Sequence, residues 1–218
     1  MIKGKKLHPK AIIFDMDGVI VDSMVYHFFA WYEALRPLGI RVTCFDVYAK
    51  EGERWEKSMR DFLLKSNIRP TAKIMKDLFL RRHTIFKKVY RRVIFNGAEE
   101  LLVCLKNRGY VLGLVTGTPF TQVRLILPEK IKSVFNCIIT GDMVHNGKPD
   151  PEPYLKAAKC LKLKPAQCLV VENAPLGILS AKNAGMPCVA VSTSLPGDYL
   201  KKADVIVDNL VKIKKILC

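Results

Sequence analysis

The chain has 218 residues, of which 50% are hydrophobic and 26% are charged. This length suits one α/β domain with an insert or two small domains, and the apolar content excludes a globally disordered chain. Lys and Arg number 36 against 20 Asp and Glu, and the resulting net charge of +16 favours anionic partners. Phosphorylated metabolites, nucleic acids and acidic membrane surfaces all fit that charge.

The seven cysteines are odd in number and form no C-x-x-C pair. Cys137, Cys168 and Cys188 lie in apolar runs, which is typical of reduced thiols in a cytoplasmic protein. The apolar run near the amino terminus is too short for a signal peptide, and no run reaches the roughly 18 apolar residues of a membrane span. We therefore expect a soluble, cytoplasmic protein with no membrane partner and with all of its cysteines reduced.

Short β-branched runs predict strands at residues 11–14, 111–116, 137–140, 168–171, 188–191 and 204–207. Amphipathic helical patterns alternate with them at residues 98–108, 153–163 and 175–184. Strands that are apolar throughout and alternate with helices indicate a parallel sheet covered on both faces. The predicted fold class is therefore α/β, with a Rossmann-like parallel sheet.

Residues 24–95, called the insert below, break this alternation. Helical patterns cover most of it, at residues 25–35, 54–65 and 71–92, and it carries 16 Lys and Arg against 7 Asp and Glu. We expect residues 1–23 and 96–218 to form the sheet domain, and the insert to form a separate helical subdomain that holds much of the basic excess.

Asp15 and Asp17 belong to the segment FDMDGVIVDS, directly after the first predicted strand. Gly18 behind them favours a turn, so both carboxylates can approach one point at the carboxyl end of the strand, where open parallel sheets bind ligands. Two carboxylates that close need a cation or a shared proton, and hard oxygen ligands suit Mg²⁺. A pair of turn or helix-capping aspartates is the alternative.

Further polar residues stand at the ends of other predicted strands. Thr116 and Gly117 in LVTGTP offer a hydroxyl and backbone N–H groups to a phosphate oxygen. Lys148 precedes a predicted helix, and Glu172 with Asn173 follows another strand. Each residue alone has an ordinary structural explanation, but this order at successive strand ends points to phosphate chemistry.

The motifs resemble those of the haloacid dehalogenase superfamily of phosphotransferases, and the insert falls where that family carries a helical cap. The four family motifs correspond in turn to Asp15 with Asp17, Thr116, Lys148, and Glu172 with Asn173. Residues 15–31, including His27 and Trp31, are similar to the β-phosphoglucomutase-like phosphatase subgroup. The resemblance covers essentially the whole sheet domain.

The resemblance implies roles for the motif residues. Asp15 would attack phosphorus and form an aspartyl-phosphate, and Asp17 would act as general acid and then general base. Lys148 and Thr116 would hold the transferring phosphoryl oxygens. Because dehalogenases and phosphonatases of the family lack the second aspartate, Asp17 favours a phosphate ester as substrate.

The resemblance also implies a Mg²⁺ site. Its ligands would be the Asp15 carboxylate, the Asp17 backbone carbonyl and the fourth motif, where relatives usually have Glu-Asp and this chain has Glu172-Asn173. The amide carbonyl of Asn173 can coordinate Mg²⁺, but one negative charge is lost. Glu172 would act either as a ligand through water or as a base beside the ligands.

The insert is expected to select the substrate. Glu51 and Trp55 stand where β-phosphoglucomutase-like sequences supply Lys and Arg to a second phosphate, which favours a phosphatase over a mutase. Arg54, Arg81 or Arg82 could replace that grip, so a phosphosugar mutase stays as the alternative.

Two residues of the insert are candidates for substrate binding. They are Arg54 and His27, the latter either hydrogen-bonded to the general acid or simply packed in the helical core. We expect a monomeric Mg²⁺-dependent phosphatase that acts on a small phosphorylated metabolite such as a sugar phosphate. Nucleic-acid binding through the basic insert is a less favoured alternative, because no nucleic-acid-binding motif accompanies the charge.

Overall fold

The computed structural model describes residues 9–218. Six parallel strands form one sheet in the order β3-β2-β1-β4-β5-β6. The strands are β1 (Ala11–Phe14), β2 (Val111–Val115), β3 (Cys137–Ile139), β4 (Cys168–Glu172), β5 (Cys188–Val191) and β6 (Val205–Val207). The predicted parallel α/β sheet is confirmed, and its strand order changes direction at β1, where open α/β sheets bind ligands.

Helices cover both faces of the sheet. They are α5 (Ala98–Asn107), α6 (Phe120–Ile126), α7 (Glu129–Lys132), α8 (Glu152–Cys160), α9 (Pro175–Asn183) and α10 (Leu210–Leu217). Successive residues of β1 point to opposite faces: Ile12 and Phe14 join one buried apolar cluster, and Ala11 and Ile13 join the other. Burial on both faces explains why the strands read as unbroken apolar runs.

The insert contains four helices, α1 (Met24–Leu35), α2 (Cys44–Tyr48), α3 (Trp55–Lys65) and α4 (Ala72–Val89). All six strands lie outside it. A third buried cluster, which includes Trp31, Met59 and Phe62, is drawn entirely from the insert, so these helices have an apolar core of their own. The exact boundaries between the insert and the sheet domain stay a prediction.

The cysteine prediction is wrong for one pair. Cys104 of α5 and Cys218, next to α10, form a disulfide with a Cα–Cα distance of 6.6 Å. Cys137, Cys168 and Cys188 are free and buried as expected, whereas Cys44 is free and exposed. The pairing depends on α10 packing against α5, a contact that no local sequence pattern indicates.

Within residues 9–218, the structure contains no helix with the length and apolar character needed to cross a bilayer.

We expect Cys218→Ser to destabilise the protein, because the disulfide closes a loop of 114 residues and restricts the unfolded chain. The expected loss is about 2–4 kcal/mol. In calorimetry, a reductant should lower the Tm of the wild-type chain to that of Cys218→Ser without affecting the variant. Cys44→Ser, at a free exposed cysteine, is the control. A wild-type Tm insensitive to reductant would contradict the stabilising role.

Candidate active site

The sequence-predicted motif residues meet at the carboxyl end of the central strands. Asp15 directly follows β1, Thr116 follows β2, and Glu172 ends β4. Parallel strands place their carboxyl ends at one edge of a sheet, which is why residues far apart in the sequence converge there. The group comprises Asp15, Asp17, Thr116, Lys148, Glu172 and Asn173, and every one of them is buried.

A buried ion cluster of Asp15, Lys148 and Glu172 lies at the centre of this group. Lys148 Nζ donates to Asp15 Oδ1 at 2.5 Å and to Glu172 Oε1 at 2.6 Å. Burial raises the pKa of Asp15 well above its ordinary value, an effect that Lys148 opposes. Burial would lower the pKa of Lys148, but the two carboxylates outweigh it and raise the pKa. The ammonium is therefore firmly charged, and two carboxylates share it.

Glu172 has no free carboxylate oxygen. Besides Lys148, its Oε1 accepts from Tyr154 Oη at 3.0 Å, and its Oε2 accepts from the backbone N–H groups of Asn173 and Ala174 at 2.7 and 3.0 Å. Helix α9 approaches so closely that a Cβ on Gly177 would lie 1.6 Å from Oε1. All of these contacts go to protein donors, so Glu172 fixes the position of Lys148. The two roles predicted for Glu172, a ligand through water or a base beside the ligands, stay predictions.

Asp17 is surrounded by hydrogen-bond donors. Its Oδ1 accepts from Ser23 Oγ at 2.5 Å and contacts His27 Nε2 at 3.1 Å. Its Oδ2 accepts from Thr118 Oγ1 at 2.9 Å and from Thr116 Oγ1 at 3.2 Å. Burial alone would raise the pKa of Asp17, but His27 and the hydroxyl hydrogen bonds lower it below its ordinary value.

The partners of His27 define its tautomer. Arg82 Nη2, which is always a donor, lies 3.4 Å from His27 Nδ1, so in the neutral ring Nδ1 would accept and Nε2 would donate to Asp17. The ring also stacks on Phe86 with a centroid distance of 4.5 Å. His27 therefore both contacts the predicted general acid and packs among aromatic side chains, which combines the two roles left open by the sequence.

Two buried oxygens of the group have no hydrogen-bond partner within the described residues, Asp15 Oδ2 and Asn173 Oδ1. The Asn173 amide is oriented because its Nδ2 donates to Ser194 Oγ at 2.9 Å, and the side chain lies against Gly18, one residue after Asp17. In the same part of the chain, no three Asp, Glu, His or Cys side chains form a metal cluster. A metal here would thus use a carboxylate, an amide carbonyl and backbone oxygens.

This set of oxygens fits Mg²⁺. The cation prefers hard oxygen ligands and retains several waters, so one or two protein carboxylates are enough. The carboxylates of Asp15, Asp17 and Glu172 also outnumber the Lys148 ammonium in this buried region. A divalent cation would balance the excess negative charge and satisfy the two oxygens that lack partners.

A cavity lies between the insert and the sheet domain, next to these residues. Its lining from the sheet domain includes Gly117, Thr118, Pro119 and Gln122. Its lining from the insert includes His27, Trp31, Glu51, Trp55, Phe79 and Arg82. The walls thus combine aromatic rings with a small number of polar and charged groups, as expected for a small-molecule site.

The loop before α3 closes one side of the cavity. A Cβ on Gly52 would lie 2.3 Å from Lys148 Cδ, and a Cβ on Gly117 would lie 2.9 Å from Gly52 Cα. Gly52 also has a φ of +78°, which favours glycine. The absence of side chains at both positions lets this loop of the insert touch the predicted phosphate-binding residues.

Arg54 lies outside the cavity lining. Its guanidinium pairs with Glu56 and donates to the backbone oxygens of Val144 and His145 at 2.9 and 3.2 Å, so it links the insert to the sheet domain. Arg81 donates to the Glu33 carbonyl, and only Arg82 among the three candidate arginines lines the cavity. Arg54 lines a neighbouring cavity together with Thr116, Gly117 and Lys148, and its predicted role in substrate binding stays a prediction.

Several residues of the site were not identified from the sequence. Thr118 lies two residues after Thr116 in the segment TGTP. This proximity to a motif residue could have identified it as a member of the site. Tyr154 and Ser194 have no motif, because their contacts with Glu172 and Asn173 depend on how α8 and the loop after β5 pack.

Comparisons with known proteins agree with this geometry. The sequence model of a family described as "Haloacid dehalogenase-like hydrolase" matches residues 12–191. The Validoxylamine A 7'-phosphate phosphatase of Streptomyces hygroscopicus subsp. limoneus is 29% identical over 206 residues, covering 94% of this chain and 96% of that protein. The Beta-phosphoglucomutase of Bacillus subtilis (strain 168) is 31% identical over 196 residues, covering 86% of this chain and 85% of that protein.

A solved structure has the same fold as this chain. The putative beta-phosphoglucomutase from Bacteroides vulgatus superposes with a TM-score of 0.88 at 29% sequence identity. The match covers 97% of this chain and 88% of the other, so it includes both the sheet domain and the insert.

We expect Glu172→Gln to destabilise the fold, because it leaves the buried Lys148 ammonium with one carboxylate and weakens its charge compensation. The expected cost is about 2–4 kcal/mol in urea unfolding. Glu99→Gln removes a carboxylate from an exposed pair with Lys130 and should cost less than about 1 kcal/mol. Equal effects of the two substitutions would show that the buried cluster does not depend on the charge of Glu172.

Proposed function

The chain belongs to the haloacid dehalogenase-like hydrolases, and we propose that it is a Mg²⁺-dependent phosphatase that hydrolyses a small phosphorylated sugar or polyol. The observation that carries the proposal is the placement of Asp15: one carboxylate oxygen is bound by Lys148, and the other is buried without a hydrogen-bond partner among residues 9–218. The relatives named as phosphatases support hydrolysis of a phosphoric monoester.

In the first half-reaction, a carboxylate oxygen of Asp15 attacks the phosphorus and the bond to the leaving oxygen breaks. Asp17 delivers a proton to that oxygen, so the sugar or polyol leaves as a neutral alcohol. Lys148 orients Asp15 and offsets negative charge on the phosphoryl oxygens. When bound, Mg²⁺ would supply Lewis-acid stabilisation of the phosphoryl charge.

In the second half-reaction, water attacks the phosphorus of the aspartyl-phosphate. Asp17, now ionised, removes a proton from this water, and the bond between phosphorus and Asp15 breaks to release inorganic phosphate. His27, Ser23 and Thr118 position the Asp17 carboxylate, and their hydrogen bonds favour its charged form between the two steps. Asp15 and Asn173 would hold Mg²⁺, with the backbone carbonyl of Asp17 as a further ligand.

A phosphosugar mutase is the second candidate, because relatives with that activity in their names match the chain. A mutase must hold a second phosphate while the phosphoryl group returns to the sugar, which requires cationic groups at the far end of the cavity. Trp55 and Glu51 occupy the cavity wall, and Arg54 is engaged elsewhere. Among the cationic side chains of residues 9–218 that line this cavity, Lys50 pairs with Glu53 and Asp61, which leaves Arg82 for a second phosphate, so hydrolysis is the better supported reaction.

The proposal predicts that Asp15→Asn lowers kcat by at least about 10³-fold, since an amide cannot form the acyl-phosphate. Asp17→Asn should lower it by about 10²- to 10⁴-fold. The assay measures phosphate release from p-nitrophenyl phosphate and a panel of sugar and polyol phosphates, with and without EDTA. Asp208→Asn, at an exposed carboxylate paired with Lys212, should retain activity.

Full turnover by Asp15→Asn would exclude Asp15 as the nucleophile. Full activity in EDTA would exclude a role of Mg²⁺ in the reaction. The same panel includes β-glucose 1-phosphate. Formation of glucose 6-phosphate faster than phosphate release would favour the mutase.

We also expect Asn173→Asp to reduce the Mg²⁺ concentration needed for half-maximal activity, because a carboxylate binds a hard dication more tightly than an amide carbonyl does. Calorimetric titration of Mg²⁺ into the same variant measures the affinity without turnover. Asn209→Asp, at an exposed residue whose side-chain oxygen accepts from the Lys212 backbone N–H at the start of α10, is the control. An unchanged Mg²⁺ affinity in Asn173→Asp would remove residue 173 from the coordination shell.

A further inference from the structure

The insert places two charged side chains at the cavity that the proposed reaction does not use, Glu51 and Arg82. Other charged residues there are already neutralised: Glu53 accepts hydrogen bonds from Lys50, Lys57 and Ser58. The Glu51 carboxylate has no hydrogen-bond or ion-pair partner within residues 9–218, and its backbone N–H donates to the Tyr48 carbonyl. Its carboxylate therefore remains available for a bound molecule.

Arg82 is held in place but is incompletely hydrogen-bonded. Its guanidinium lies over the Trp31 ring at 4.6 Å, and its Nη2 contacts His27. Its Nε is buried without a hydrogen-bond partner. Burial lowers the pKa of Arg82 to about 10, whereas Glu51 and Asp17 favour the charged form. A bound molecule with an acceptor oxygen would satisfy the free donor.

The loop that carries Glu51 lies against the ion cluster. The adjacent residue, Gly52, packs against Lys148 and Gly117, and Glu51 lines the neighbouring cavity. Burial and the Asp17 carboxylate raise the pKa of Glu51 to about 7, an effect that His27 and Lys148 oppose. The carboxyl thus faces a region that already contains an excess of carboxylates.

Above about pH 7, where Glu51 is ionised and Arg82 is still protonated, these two side chains offer one charged acceptor and one charged donor. A hydroxyl group both donates and accepts hydrogen bonds, so neighbouring hydroxyls of a polyol can donate to Glu51 and accept from Arg82. A second phosphate can only accept when it is a dianion. It would satisfy Arg82 but would be repelled by Glu51, whose carboxylate would be left without a donor.

We propose that Glu51, together with Arg82 on the same cavity wall, is a specificity-determining residue that binds hydroxyl groups of a neutral polyhydroxylated leaving group and discriminates against bisphosphates. This inference rests on the proposed phosphatase function and specifies its substrate class. The tilted aromatic pair Trp55 and Phe79, with ring centroids 4.4 Å apart, adds an apolar surface at the same cavity for the C–H face of such a molecule.

The first test measures whether the charge of Glu51 makes the site prefer a monophosphate to a bisphosphate. The kcat/KM for fructose 6-phosphate is divided by that for fructose 1,6-bisphosphate in the wild-type chain, Glu51→Gln and Glu100→Gln. We expect the wild-type chain to favour the monophosphate by at least about tenfold, and Glu51→Gln to lose most of that preference. Glu100 is an exposed carboxylate on α5, so Glu100→Gln should leave the ratio unchanged.

The second test compares hydroxyl recognition. Sorbitol 6-phosphate and n-hexyl phosphate have carbon chains of the same length, but only the first carries hydroxyls. The wild-type chain should favour sorbitol 6-phosphate by at least about tenfold in kcat/KM, and Glu51→Leu should reduce this ratio by about tenfold or more. Glu100→Leu is the matched control.

The two tests distinguish failure of the inference from failure of the proposed function. Absence of metal-dependent hydrolysis of p-nitrophenyl phosphate by the wild-type chain would reject the phosphatase proposal itself. If that hydrolysis is present, either a wild-type preference for the bisphosphate or ratios that stay within about twofold in both Glu51 variants would overturn the role of Glu51. Thermal melts of each variant verify that the compared proteins are folded.

Discussion

An ammonium buried between two carboxylates is the interaction on which the site depends. Removing these charges from water is costly, so each needs an opposite charge and several hydrogen bonds in a defined geometry. The structure supplies them from separate elements: Asp15 after β1, Glu172 at the end of β4, Tyr154 from α8 and backbone N–H groups at the start of α9. The sheet and its helices are thereby aligned by the same contacts that orient the nucleophile.

The insert also contributes residues that contact the buried motif residues of the sheet domain. His27 of α1 contacts Asp17, and the loop at Gly52 touches Lys148. In the proposed reaction, acid–base chemistry and substrate selection would therefore both require the insert to lie against the sheet domain. Additional contacts hold it there, including Arg54 on the backbone of residues 144 and 145, and Gln122 Nε2 at 2.7 Å from His83 Nδ1.

The sheet and the motif residues could be predicted because they are encoded locally. Unbroken apolar runs identify buried parallel strands, and polar residues such as Asp15 and Thr116 immediately follow them. Partners such as Tyr154 and Ser194 could not be predicted, because their contacts depend on the packing of elements distant in sequence. The placement of Arg82 in the cavity, and of Arg54 outside it, depends on the orientations of α3 and α4, which periodicity does not determine.

The disulfide divides the chain into two parts of different connectivity. The segment between Cys104 and Cys218 contains β2 to β6 with Thr116, Lys148, Glu172 and Asn173, and it forms a covalent ring. Strand β1 and the whole insert precede this ring. A proteolytic nick inside the ring would leave both fragments in one molecule. A nick in the insert would leave β1, with Asp15 and Asp17, attached only by hydrogen bonds and packing, although β1 is the central strand of the sheet. The integrity of the buried motif residues therefore depends most on the continuity of the insert.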